Sequence, residues 1–111
     1  MVAINVPGHN AVTIVEVSGR VDGMNADQLG TAIGGAIDEG GVHVVLDLSG
    51  VDYMSSAGLR ELVNSLKKAK RAAGDIRLAQ PSDRVREVLE MAGLDTVFRI
   101  YTSQADAVGS Y

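Results

Sequence analysis

The run Val42-His43-Val44-Val45-Leu46-Asp47-Leu48 is apolar at all but two positions, and eleven residues past its end, at Leu59, the hydrophobic period changes. A strand with apolar residues at successive positions has to be covered on both faces, which predicts a strand over residues 42–48 inside a layered α/β fold. From Leu59 the apolar residues fall at Leu59, Leu62, Val63, Leu66, Ala69 and Ala73, with Arg60, Glu61, Asn64, Lys67, Lys68 and Arg71 between them. That spacing predicts an amphipathic helix over residues 56–73, ended by Gly74. Ser55 and Ser56 then sit at the N-cap and the first helical position. There the backbone N–H groups lack intrahelical partners, and either a capping serine or an added phosphate is accommodated.

The rest of the chain alternates in the same way. Residues 2–6 and 12–17 read as two strands joined across Pro7-Gly8-His9-Asn10, a hairpin signal. Asn25-x-x-Gln28 has the spacing of a capping box and opens a helix with Leu29, Ile33, Ala36 and Ile37 inward, ended by Gly40-Gly41. Gly30, Gly34 and Gly35 weaken that helix, and close packing on the sheet would account for them. Residues 76–79 form a strand, and Pro81-Ser82-Asp83 starts a helix with Val85, Val88, Leu89 and Ala92 inward, stopped by Gly93. Residues 97–101 form the last strand, and Ser103-x-x-Asp106 caps a short helix. The order is β-β-α-β-α-β-α-β-α. It predicts a mixed, mostly parallel five-stranded sheet in a single domain over residues 1–111.

At 111 residues and 46% hydrophobic content the chain supports one core. There is no cysteine, so disulfides and thiolate metal sites are excluded. No basic residue precedes Arg20, and no run approaches the ~18 apolar residues that cross a bilayer, so a cytoplasmic protein without membrane attachment is expected. A net charge of −4 and four aromatic residues oppose nucleic-acid binding. The cluster Lys67-Lys68-Ala69-Lys70-Arg71 reads as a solvated helix face, where positive charge complements the helix C-terminus.

Enzymatic chemistry finds no support in the residues. A serine nucleophile needs a base within hydrogen-bond reach, and a hydrolase elbow would place glycine where Met54 stands. His9 is in a predicted turn, and His43 is separated from the motif by a strand of ~20 Å, so it reads as a core or rim histidine. Asp22, Asp47 and Asp52 invite comparison with a metal cluster or a receiver-type aspartyl site. The first strand nevertheless ends without an acidic pair, and Gln80-Pro81 stands where a receiver would place lysine. No catalytic residue, metal site or cofactor is expected.

The whole string Asp47-Leu48-Ser49-Gly50-Val51-Asp52-Tyr53-Met54-Ser55-Ser56-Ala57-Gly58-Leu59-Arg60 resembles the signature of the STAS domain, in particular the single-domain anti-sigma factor antagonists of bacterial partner-switching systems. Val17-Ser18-Gly19-Arg20-Val21-Asp22, followed by a helix opening near Asn25, is similar to the family's second recognisable block. The resemblance spans essentially the whole chain. It implies that Ser56 is the phosphoacceptor, that Asp22 lies beside it, and that Ser55 is a second, minor candidate acceptor. Two positions depart from the family pattern: Ser55 stands where aspartate is frequent, and Ala57 replaces a second hydroxyl.

The resemblance further implies the partners. An anti-sigma factor that is also a serine kinase, with its own ATP and magnesium, binds the unphosphorylated form, and a sigma factor is released for transcription. Phosphorylation at Ser56 blocks that binding, and a metal-dependent serine phosphatase reverses it. Asp22, Tyr53, Met54, Ser55, Ser56, Ala57, Gly58 and Arg60 are the candidate contacts, with core packing the competing role for Met54 and Leu59. The alternative is a STAS module that scaffolds or senses within a transport or lipid-trafficking complex, or a partner switch with another output. Membrane-linked modules of this kind often lack an acceptor serine.

Overall fold

The computed structural model describes residues 2–5 and 12–111. The chain runs β1 (Val2–Asn5), β2 (Val12–Val21), α1 (Ala26–Asp38), β3 (His43–Met54), α2 (Ser56–Arg71), β4 (Asp75–Ala79), α3 (Asp83–Met91), a 3-10 turn (Leu94–Thr96), β5 (Ile100–Tyr101) and α4 (Gln104–Gly109). The strands lie in the order β1-β2-β3-β4-β5, with β1 antiparallel to β2 and the four strands from β2 onward mutually parallel. This is the mixed, mostly parallel sheet that the alternation predicts. The turn expected at residues 7–10, with His9, falls outside the described residues.

Side-chain alternation along β3 decides which helices cover which face. Val44, Leu46 and Leu48 point into the main core, which Leu29 and Ile33 of α1, Leu62 and Leu66 of α2, and Val85 and Leu89 of α3 complete. Val45 points the other way, into a smaller core with Val12, Ile14, Ala79 and Ala107 of α4. Leu29, Leu46, Leu62 and Leu89 are essentially inaccessible, and each such side chain stabilises the fold by roughly 1.5–3 kcal/mol.

The elements depart from the sequence expectation in four places. The two central strands are longer: β2 continues to Val21 and β3 to Met54, because Ser18, Gly19, Arg20 and Val21 pair with Gly50, Val51, Tyr53 and Met54. Two irregularities, between Glu16 and Ser18 and between Gly19 and Arg20, accommodate Ser18-Gly19 within the pairing. The last strand is shorter, since Val97 N and Phe98 N both bond back to Leu94 O and the chain is still turning there. Gly30 and Gly34 face helix α2 rather than the sheet: a Cβ at Gly30 would lie 2.7 Å from Glu61 Oε2, and one at Gly34 3.3 Å from Lys68 Nζ. Finally, α2 stops at Arg71, and Ala73 instead of Gly74 takes the left-handed conformation, with φ of 62°. Gly74 answers a different need, because a Cβ there would sit 2.0 Å from Val42 O.

Candidate functional site at the carboxyl ends of β2 and β3

The long pairing of β2 with β3 delivers two loops to one end of the sheet. Val21 O accepts the Ser55 N–H at 2.8 Å, so the residue before Asp22 and the first of the two serines are joined through the main chain. Ligand sites of open α/β sheets lie outside the carboxyl ends of their strands, which is where this junction falls.

The two serines are used differently. Ser55 is extended at φ −84°, ψ 170°, and its Oγ accepts the Gly58 N–H at 3.2 Å, making it the N-cap of α2. Ser56 opens the helix, is exposed, and takes no part in the cap. Its hydroxyl therefore sits in the first turn, where the macrodipole is positive and the orphan N–H groups favour an anion.

Gly58 allows this loop to lie down on the sheet end. A Cβ on it would come 2.5 Å from Met54 Sδ and 2.8 Å from Val21 Cγ1, so only glycine fits beneath the cap. Met54 is 3% exposed and belongs to the main core; of its two roles weighed from sequence, packing is the one its burial shows. Gly58 is likewise buried, so neither Met54 nor Gly58 presents a side-chain surface to a partner. Ala57 and Leu59 are half-buried against the same core, and Arg60 is exposed. Tyr53 is half-buried, with the Arg20 guanidinium carbon 4.3 Å from its ring centroid.

The second loop is organised by a residue that sequence reasoning assigned to another task. Asn25 makes no side-chain cap on α1, so the predicted capping box with Gln28 is absent. Its Oδ1 accepts from Asp22 N at 2.9 Å, and its Nδ2 donates to Arg20 O at 2.8 Å. Asp22 Oδ1 in turn accepts from Met24 N at 3.0 Å. Asp22, half-buried, is thereby fixed in place next to the strand end that carries Ser55. The sequence signal was Asn25 itself, a residue whose short amide reaches local backbone groups as readily as a helix terminus.

Other candidate residues lie elsewhere. His43 opens β3, so the full length of the strand separates it from Ser56. Asp47 is 4% exposed and ties β3 to α4, accepting from Ser49 N at 2.9 Å and from Gln104 Nε2 at 2.7 Å. Among the described residues no group of three or more His, Cys, Asp or Glu side chains is arranged to hold a metal ion. Lys68 and Lys70 are engaged with Asp38 and Asp75, at 2.8 and 3.3 Å, along the outer side of α2.

The order of elements, the serine-capped α2 and the paired strand ends agree with one family, and residues 3–107 match its sequence pattern: the chain belongs to the STAS domain family. It is 33% identical over 102 residues to BtrV of Bordetella bronchiseptica, covering 92% of this chain and 88% of that one. RsfB of Mycobacterium tuberculosis, an anti-sigma-F factor antagonist, is 29% identical over 107 residues, covering 96% of this chain and 87% of its own length. The crystal structure of an anti-sigma factor antagonist from Mycobacterium paratuberculosis superposes with a TM-score of 0.85 at 29% identity, covering 99% of this chain and 93% of that one. No helix among the described residues is long and apolar enough to cross a membrane.

Proposed function

We propose that this protein is an anti-sigma factor antagonist whose binding to a serine kinase-type anti-sigma factor is blocked by phosphorylation of Ser56. Family membership and the named role of RsfB support the antagonist reading. The observation that carries the choice of acceptor is the division of labour between the two serines: Ser55 caps the helix, and Ser56 stands exposed beside it.

The kinase brings ATP and magnesium. In the transfer, Ser56 Oγ bonds to the γ-phosphorus, the bond from that phosphorus to its bridging oxygen breaks, ADP leaves, and the hydroxyl proton passes to a base of the kinase. The product carries about −1.5 to −2 charge at pH 7 on a helix N-terminus that tolerates it, so the fold is retained. A partner that buried this loop would instead enclose an unpaired charge, which costs several kcal/mol, or about a hundredfold or more in affinity. Tyr53, Ser55, Ala57, Arg60 and Asp22 frame the surface that such a partner contacts. A metal-dependent serine phosphatase restores the binding form.

The test is calorimetric titration of the kinase with the unmodified and the phosphorylated chain. At least a hundredfold weaker binding of the phosphorylated chain, with unchanged circular dichroism, is expected. Equal affinity of the two forms overturns the interface block.

A further inference from the structure

Among the described residues three large apolar side chains are exposed: Met24 at 92%, Met91 at 82% and Val97 at 51%. Met91 ends α3 and Val97 follows the 3-10 turn. Met24 alone belongs to the loops at the carboxyl ends of β2 and β3, two residues past Asp22.

Single exposed apolar residues are ordinary on protein surfaces. Met24 differs in how it is held. Its own N–H is bonded to Asp22 Oδ1, the Asp22 N–H to Asn25 Oδ1, and the Asn25 amide to Arg20 O, while Val21 O holds Ser55 N. The backbone on either side of Met24 is therefore fixed relative to the serine loop, and its side chain projects from a framed position. A fixed backbone lowers the entropy lost when the side chain is buried by a partner. Methionine is unbranched and polarisable, which suits a contact that must form and release repeatedly.

We infer that Met24 is the apolar anchor of the partner interface, filling a hydrophobic cleft on the serine kinase that flanks the site where Ser56 meets the γ-phosphate. This rests on the reading of Ser56 as the acceptor. Filling such a cleft changes affinity roughly tenfold to a hundredfold for a side chain of this size.

The experiment measures KM and kcat for Ser56 phosphorylation by the kinase that modifies the wild-type chain, and the Kd of the unmodified chain for that kinase. The variants are Met24→Ser, Met24→Leu and, as a control, Met91→Ser. Met24→Ser is expected to raise KM and Kd at least tenfold with kcat and melting temperature unchanged, Met24→Leu to restore most of the affinity, and Met91→Ser to match wild type. Met24→Ser with wild-type KM and Kd overturns the anchor while leaving the Ser56 reading intact, and equal weakening by Met91→Ser overturns its specificity. If no kinase of the same genome phosphorylates Ser56, the reading and the anchor fall together.

Discussion

At the amino ends of β3 and β4 the structure is fastened by side chains that reach across the sequence, whereas at the carboxyl ends of β2 and β3 it is held by the strand ladder and by short polar side chains bonded to nearby backbone. The Tyr111 hydroxyl lies 2.7 Å from Val44 O and 2.8 Å from Asp75 O, sharing its proton between the two carbonyls. Its ring is covered by the Arg77 guanidinium at 3.9 Å and meets the His43 ring at 5.1 Å. Arg77 also donates to Ser110 Oγ at 2.7 Å, to the Ser110 carbonyl and, through Nε, to Asp75 Oδ2 at 3.2 Å. At the other end, Val21 O to Ser55 N and the strand ladder carry the load, and short polar side chains at Asp22, Asn25 and Ser55 bond to backbone. Ser56, Met24 and Arg60 are left facing outward. The proposed phosphorylation of Ser56 would be served by that separation: the long-range contacts lie at one end of the sheet, and the exposed side chains beside Ser55 lie at the other.

Tyr111→Ala should have the largest effect on stability. Removing the ring exposes Arg77 and takes away the hydroxyl that bonds to the Val44 and Asp75 carbonyls, and roughly 3 kcal/mol of unfolding free energy should be lost. Urea melts would show it, and phosphorylation of Ser56 in the still-folded protein should proceed at the wild-type rate. A slower reaction there would show that the two ends are coupled. Gly58→Ala comes next, costing roughly 1–3 kcal/mol because its Cβ collides with Met54 and Val21. Unlike Tyr111→Ala it should also weaken kinase binding, since relief requires the serine loop to shift; undiminished binding would mean that the loop geometry does not matter to the partner.

Ser55→Ala removes the cap and should cost about 1 kcal/mol. Ser56→Ala should stay within about 0.5 kcal/mol of wild type, as expected for an exposed position outside the cap. A reversal of that order in thermal melts would exchange the roles of the two serines. Tyr111 also gives a pH dependence. Burial first, and the Asp75 carboxylate second, push the Tyr111 phenol above its ordinary value of 10.0. Below that value both states hold the proton; above it the unfolded chain ionises first, so stability falls as pH rises. Tyr111→Phe lacks this contribution, and the stability gap between it and wild type should narrow from roughly pH 9 to pH 11.

Much of this was legible in the chain. The apolar run at residues 42–48 and the helical period from Leu59 predict the βα unit that carries Ser55 and Ser56, and the N-cap falls on Ser55 as the spacing predicts. The extension of both central strands was not legible, because Ser18-Gly19 and Ser49-Gly50 carry local turn chemistry. Only their pairing with each other keeps them in the sheet. Asn25 misled for a related reason: a capping box and a loop clamp draw on the same short amide, and the choice depends on where Arg20 O lies. Tyr111 gave no signal at all beyond being an aromatic residue, since its partners Val44 and Asp75 are 67 and 36 residues away along the chain.

The identity of Ser56 as phosphoacceptor is decided by intact-mass measurement and peptide mapping after incubation with ATP, magnesium and the serine kinases of the same genome, on wild type, Ser55→Ala and Ser56→Ala. One phosphate is expected, on Ser56, retained in Ser55→Ala and lost in Ser56→Ala. Incorporation lost only in Ser55→Ala, or no incorporation with any of those kinases, would contradict it.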